Sequence, residues 1–455
     1  MSEKSRENKM GTMPIGKLLI SMSWPAMISM IIQALYNIVD SIFVARVGET
    51  ALTAVTLIFP IQFLMIAMGV GTAIGINSLI SRRLGAKRYK DADVAATNGF
   101  LLAFFNWIIF AVIGLFFSEK FLKIFSSDAY TVSAGSSYMK VVTVFSIFLM
   151  LTVTLEKIIQ GTGNMLLPMF ASVAGALVNI ILDPIFIFGY FGVPEMGVMG
   201  AAIATVIGQV VSAFINLFSV FKMNIEVKIS FKGKIFDWQT IKDIYAVGLP
   251  SIVMQAIGSV MQFGMNFFLA EFTGTAVAVF GVYMRLQSFV FMPTFGINQG
   301  AMPVFGYNFG AGDKERLMKA YKTAFIMALV IMSTGLICFQ IFPLQLLSMF
   351  NATGDMYNIG IRALRIVSIC FIPASFGIIS GGLFAATGHG ILSLWSALIR
   401  QMIGILPLAY ILGKVGGLNL VWWSFPLAEI FGTAYVIIAM RWLYNKTIKN
   451  LEAPE

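Results

Sequence analysis

The residues with the most chemical promise are acids placed where water is scarce. Asp40 and Asp183 each stand inside a long apolar stretch. Gln33, Tyr36 and Asn37 precede Asp40 by seven, four and three positions, which puts all four on one face of a helix. Asn179 precedes Asp183 by four, and Pro184 follows it, so the Ile180 carbonyl loses its usual helical amide donor beside the second carboxylate. An ionised Asp at mid-membrane costs about 2.5 to 3.5 kcal/mol on insertion scales, so each must take a partner, a proton or a cation. Two carboxylates with the Asn179 amide, the Thr205 hydroxyl and a freed carbonyl also supply the oxygens that a small hard cation requires. The set Asp40, Asn179, Asp183 and Thr205 therefore serves H+ or Na+ alike, and no resident cofactor is expected.

Other charges are fewer. Glu156, beside Lys157 at the inner end of an apolar stretch, joins the candidate list, with Gln33, Tyr36 and Asn37 as polar companions of Asp40. Arg400 and Glu429 fall near mid-span on neighbouring stretches, where a structural ion pair is expected. Enzyme chemistry has little to work with. His389, the single histidine, lies in a glycine-flanked loop, and Cys338 and Cys370 are 32 residues apart in apolar surroundings. Neither a triad, a zinc site nor a disulfide framework follows from these, so the chain is not expected to be an enzyme.

The elements that must position these acids are spelled out by composition. Of the 455 residues 58% are apolar and 11% charged, which excludes an ordinary soluble enzyme of this length. Twelve stretches, from Leu18–Ala45 to Leu420–Trp442, approach the roughly 20 apolar residues needed to cross a bilayer. The fold class is an all-α membrane protein of twelve transmembrane helices. With the N-terminus in the cytoplasm, 22 of the 31 lysines and arginines fall in inner segments, so both termini are expected inside the cell membrane. The net charge of +10 thus reports topology, and no nucleic-acid partner is expected. The polar start of the chain lacks the pattern of a removable signal peptide.

The two halves match at a constant offset of 225 residues: Pro25 with Pro250, Gln62 with Gln287, Gly71 with Gly296, Gly75 with Gly300, and Thr162-Gly163 with Thr387-Gly388. Six spans per repeat keep the same orientation, so the two six-helix lobes are expected to be related by a pseudo-two-fold axis along the membrane normal. The first lobe is residues 1–221, the second 243–455, and the lysine-rich stretch 222–242 is the cytoplasmic linker. With Asp40 and Asp183 on outward-running helices and Thr205 on an inward-running one, all three fall at similar depth in the outer half of the first lobe.

At this point the residues carry a family likeness. The stretch ending at Gly48, Gly71 to Asp91 with its Ser-Arg-Arg-Leu-Gly-Ala, the stretch from Asn179 to Gly189, and Gly197 to Thr205 together resemble the multidrug and toxic compound extrusion (MATE) family of secondary transporters over nearly the whole chain. The resemblance implies export of cationic, amphipathic small molecules by H+ or Na+ antiport through alternating access. It also implies that Asp40, Asn179, Asp183 and Thr205 form the ion-coupling cluster. Coupling acids of another branch, in helices 7 and 10, have no match here: Gln255, Gly258 and Gln262 occupy helix 7. Ala45 replaces a common glycine, and Glu156 is similar to one bacterial multidrug subgroup. A monomer is expected. The alternative is a flippase of a lipid-linked sugar or peptidoglycan precursor, whose pyrophosphate would call for a basic cleft, whereas the first lobe's candidates are acidic.

Overall fold

The computed structural model describes residues 8–223, 226–231, 236–350, 352 and 354–452, without the side chains of Asn37, Ser41, Ala45, Glu49, Ala51 and Leu52. Among them the chain is helical and without strands. Ten helices are long and apolar enough to cross a membrane, and twelve if each of two bent pairs is one span. The chain is thus a multi-pass membrane protein, with the twelve-helix count expected from its hydropathy.

In chain order the spans are α1 (Ile15–Val47), α2 (Glu49–Gly85), α3 (Tyr89–Phe125), α4 (Ala129–Val144 and Ser146–Gly161), α5 (Leu166–Phe188) and α6 (Val198–Lys222) in the first repeat. In the second they are α7 (Trp238–Ala270), α8 (Gly274–Gly310), α9 (Lys314–Ile341), α10 (Asp355–Ser368 and Phe371–Ala386), α11 (Gly390–Gly416) and α12 (Ser424–Lys446). Several helices outrun their apolar stretches. α3 continues to Phe125, and α7 begins at Trp238, inside the stretch expected as linker. His389 does stand in a loop, and both cysteines are free thiols.

The two bends differ in cause: α4 has no proline near its break, whereas Pro373 follows the break of α10 and leaves the Ile369 carbonyl without its helical amide donor. α4 turns by 41° at Phe145, where the Thr143 and Ser146 hydroxyls bond back to the carbonyls of Met139 (2.6 Å) and Thr143 (2.7 Å). Such back-bonding competes with the helical ladder and bends it. Trp107 Nε1 from α3 donates to the Val144 carbonyl at the break, at 2.7 Å. In the second repeat α10 turns by 48°, and Gln340 Nε2 of α9 donates to the Arg365 carbonyl just before the break, at 2.7 Å. In both repeats the third helix satisfies a backbone acceptor beside the bend of the fourth.

Two compact units result. One contains Ile28–Leu84 and Arg88–Leu249, the other Lys9–Met27 and Pro250–Glu455. The division therefore runs through α1 and α7, beside Pro25 and at Pro250. Within the first unit, Gly75 of α2 receives the start of α7: a Cβ there would stand 2.1 Å from the Ile244 carbonyl oxygen. Within the second, its repeat partner Gly300 of α8 receives the start of α1, where a Cβ would stand 2.8 Å from both Ser23 N and Cα. Equivalent glycines thus seat equivalent half-helices. Each seat is tied down by an arginine. Arg83 bonds the Asp91 carbonyl (2.7 Å) and Thr240 (3.0 Å) and pairs with Asp243 (3.5 Å). Arg316 bonds the carbonyls of Met10 (3.0 Å) and Met13 (2.9 Å).

Part of the linker lies along α3 of the first unit. Backbone amides of Lys228, Ser230 and Asp237 donate to Asp93 Oδ1 (2.6 Å), Thr97 Oγ1 (3.1 Å) and Asn98 Oδ1 (3.0 Å), all on one stretch of helix.

A methyl group at either seat must displace backbone, which a close-packed interior resists at about 1 to 3 kcal/mol. Gly75→Ala and Gly300→Ala are each expected to lower the melting temperature of the purified protein in detergent. Gly16→Ala, which would meet nothing within 4 Å, is the matched control and should leave it unchanged.

Candidate functional site

The site grows from the seam between α5 and α6. Ser172, Gly175, Asn179 and Asp183 recur every three or four residues on α5, and Thr205, Gly208 and Ser212 do so on α6, so each helix presents one small or polar stripe. Gly175 and Gly208 meet backbone to backbone: a Cβ on either would lie 2.7 Å from the other's carbonyl oxygen. Close approach of this kind is what small residues allow in membrane helices. It brings Asn179 and Thr205 together, and Asn179 Nδ2 donates to Asp183 Oδ1 at 3.3 Å and to Thr205 Oγ1 at 3.5 Å.

α1 supplies the other acid. Phe43 of α1 and Phe188 of α5 meet edge to face with ring centroids 6.3 Å apart, which fixes the two helices to each other a turn or so beyond Asp40 and Asp183. Asp40 and Asp183 lie within electrostatic reach of each other, and Tyr36 and Tyr138 lie within reach of both. Asp183 is fully buried and Asn179 nearly so. Three acceptor oxygens, Asp40 Oδ1, Asn179 Oδ1 and Asp183 Oδ2, are buried and have no hydrogen-bond partner among the described residues. Buried acceptors are rarely left so. Together with the Thr205 hydroxyl they form an oxygen-rich set suited to a proton or a small hard cation.

Not every candidate joins this set. Tyr36 does, half-buried on the same face of α1 as Asp40. Gln33, further in on that face, is exposed. The Asn37 side chain lies outside the described residues. Glu156 has Lys157 and Ser172 as its electrostatic neighbours, and Ser172 Oγ donates to its Oε1 at 3.3 Å. Tyr138 is a member that the sequence did not single out. It begins the apolar stretch of α4, and its hydroxyl accepts from Gln62 Nε2 of α2 at 3.1 Å. Gln62 is one of the positions repeated in the second half, as Gln287, and that was its only signal. In the second unit the expected ion pair is formed, with Arg400 Nη1 3.6 Å from Glu429 Oε2.

Comparison with known proteins agrees with this layout. The MatE family model matches twice, over residues 25–185 and 250–411, and the two matches repeat the register seen within the sequence. The multidrug export protein MepA of Staphylococcus aureus (strain MSSA476) is 26% identical over 417 residues, covering 91% of each chain. A structure described as the outward-facing conformation of a multidrug resistance MATE family transporter of the MOP superfamily superposes with a TM-score of 0.90 at 27% identity, covering 99% of both chains. A MOP superfamily transporter from Pyrococcus furiosus Vc1 (DSM3638) does so with a TM-score of 0.89, again at 27% identity and 99% coverage of both. The two-lobe, twelve-helix architecture is therefore that of these transporters.

The glycine seam yields a test. A methyl group at Gly208 would meet the Gly175 carbonyl at 2.7 Å and Asn179 Cβ at 3.1 Å. Gly208→Ala is expected to force α5 and α6 apart and destabilise the protein by about 1 to 3 kcal/mol, read as a lower melting temperature in detergent. An unchanged melting temperature would show that the seam is looser than described.

Proposed function

Since the chain belongs to the MATE family, whose members compared above include multidrug exporters, we propose that it is a secondary active exporter of cationic, amphipathic small molecules. Inward movement of H+ or Na+ drives it through alternating access, and Asp40, Asn179, Asp183 and Thr205 form the seat that ion and cargo share. It works as a monomer in the cell membrane with both termini cytoplasmic, its lobes being residues 1–221 and 243–455 joined by 222–242. It is a transporter and not an enzyme, and it carries no cofactor besides the coupling ion.

The observation that carries this reading is the pairing of two carboxylates, one wholly buried, with three unpartnered acceptor oxygens in a single helix bundle. Negative charge held away from water attracts a lipophilic cation or a coupling ion, and each neutralises what the other needs. When the site opens outward, the ion enters, cancels the charge and releases the cargo. When it opens inward, the ion leaves, the anionic seat is restored and cargo binds again. Coupling requires only that the two ligands favour different states of the same carboxylates. Tyr36 and Tyr138, within electrostatic reach of both acids, complete the polar surroundings of this seat.

In proteoliposomes with pH and Na+ gradients imposed separately, the wild type is expected to move an ethidium-like dye against one gradient. Asp40→Asn and Asp183→Asn, correctly inserted, are each expected to reduce that ion-driven movement to background. Movement that stays coupled to the gradient in either variant would remove these acids from the mechanism.

A further inference from the structure

The second unit carries a charged pair that the export cycle above leaves unused. Arg400 of α11 and Glu429 of α12 are 3.6 Å apart, long against the usual 2.7 to 2.9 Å or so of such a bond. Among the described residues Glu429 is the only ion-pair or hydrogen-bond partner that Arg400 has. Exposure is one-sided: the Arg400 side chain is 28% exposed and that of Glu429 7%. The Arg400 stem rests on Gly432, where an added Cβ would meet its Cβ at 3.3 Å. Glu429 also lies within electrostatic reach of the buried Tyr283 and Cys370.

The backbone beneath the pair is unusual. Leu398–Ile405 is π-helical, a form found mostly as short interruptions of α-helices and often at functional sites. Its wider turns carry Arg400 and Gln401 off α-helical register. Gln401 reaches toward α7, with Oε1 3.7 Å from where a Cβ on Gly258 would lie. Gln255 and Gln262 flank that glycine on α7, the first half-buried and the second exposed. Exposed guanidinium and amide groups at mid-span are costly against acyl tails, and such residues face a bundle interior or a wet cavity.

The internal repeat sharpens the comparison. α7, α11 and α12 correspond to α1, α5 and α6, the helices that hold Asp40, Asn179, Asp183 and Thr205. At the 225-residue offset the matching positions on α7 and α11 are Met265, Gly404 and Leu408, all without an oxygen-bearing side chain. Polarity has moved to Arg400, four residues before Gly404, and to Glu429 on α12.

We propose that Arg400 anchors a second site, within the second unit, for the carboxylate of a small organic acid or zwitterion. The proposal rests on the export reading for its purpose, since it would widen the cargo beyond plain cations. A guanidinium offers its N–H donors in a planar fork that matches a carboxylate. Glu429 holds one edge, and the exposed edge is left to the ligand. Glu429 is thus a positioning residue, and Arg400 touches the ligand. The pair is neutral overall, with one cation beside one anion. A monoanionic carboxylate is admitted on those terms, whereas a phosphate dianion would bring two negative charges to a pair whose net charge is zero.

The test is equilibrium binding to the purified full-length protein in detergent, using rhodamine B, a zwitterion, against its ethyl ester, a plain cation. Wild type should prefer the acid over the ester by about tenfold, equivalent to about 1.4 kcal/mol. Arg400→Gln should abolish that preference. Because breaking the pair risks misfolding, the exchanged pair Arg400→Glu with Glu429→Arg serves as the second variant. It keeps the ion pair but buries the guanidinium, so the preference should stay lost. A preference that persists in Arg400→Gln, or that returns in the exchanged pair, would reduce Arg400 to a packing role. Phenyl phosphate displacing rhodamine B better than benzoate does would overturn the carboxylate assignment. Ethidium transport by the wild type is measured alongside: if it fails while the acid preference holds, the export reading falls and this site stands.

Discussion

A carboxylate at the depth of acyl chains must be compensated from within the protein, because neither water nor lipid will do it. Asp183 is the strictest case among the described residues, fully buried and held there by one hydrogen bond, from Asn179 at 3.3 Å. Much of the first unit follows from that requirement. Gly175 and Gly208 let α5 and α6 approach closely enough for Asn179 to reach both Asp183 and Thr205. Phe43 and Phe188 hold α1 against α5 so that Asp40 stays within reach. Remove the acid and these arrangements have no evident purpose, since two apolar helices would pack adequately at ordinary spacing.

The same frame is used twice, and the repeat shows which features belong to the frame. Gly75 and Gly300 seat the starts of α7 and α1 in their respective units, and Arg83 and Arg316 tie those seats down. The arginines themselves are not repeat partners: Arg83 matches Asn308 and Arg316 matches Asp91. Each unit kept one arginine for the task, but on opposite sides of the equivalent loop. Arg316 also donates to Asn308 at 3.2 Å, as Arg83 donates to the Asp91 carbonyl, so the pair of positions is preserved while donor and acceptor are exchanged.

How much of this was legible beforehand depends on the range of the interaction. Asn179 and Asp183 are four residues apart on one helix, so their contact could be read from spacing alone. Thr205 lies on the next helix in sequence, and counting residues from the turn was enough to match its depth. Tyr138 and Gln62 are 76 residues apart on α4 and α2, and no periodicity reports on a contact between helices that distant. The bend of α4 was hidden for a related reason, while that of α10 had a signal in Pro373. The α4 bend arises from hydroxyl groups competing with the ladder and from Trp107 reaching over from another helix, whereas a sequence announces a bend plainly only through proline, as Pro373 does in α10. The split of α1 and α7 between units was hidden too: Pro25 and Pro250 marked the places, but not the change of neighbours.

The divergence of the two units bears on where coupling resides. Met265, Gly404 and Leu408 stand where the first unit has Asp40, Asn179 and Asp183, and none brings a side-chain oxygen. At these three positions the second unit therefore offers no side-chain ligand for H+ or Na+. Glu429, the nearest acid, already faces Arg400, and a carboxylate neutralised by a guanidinium has less need of a proton or sodium ion. On the proposed reading, ion coupling falls to the first unit alone. The second is then free to vary its polar surface with cargo, because changes there leave the seat of the driving ion intact.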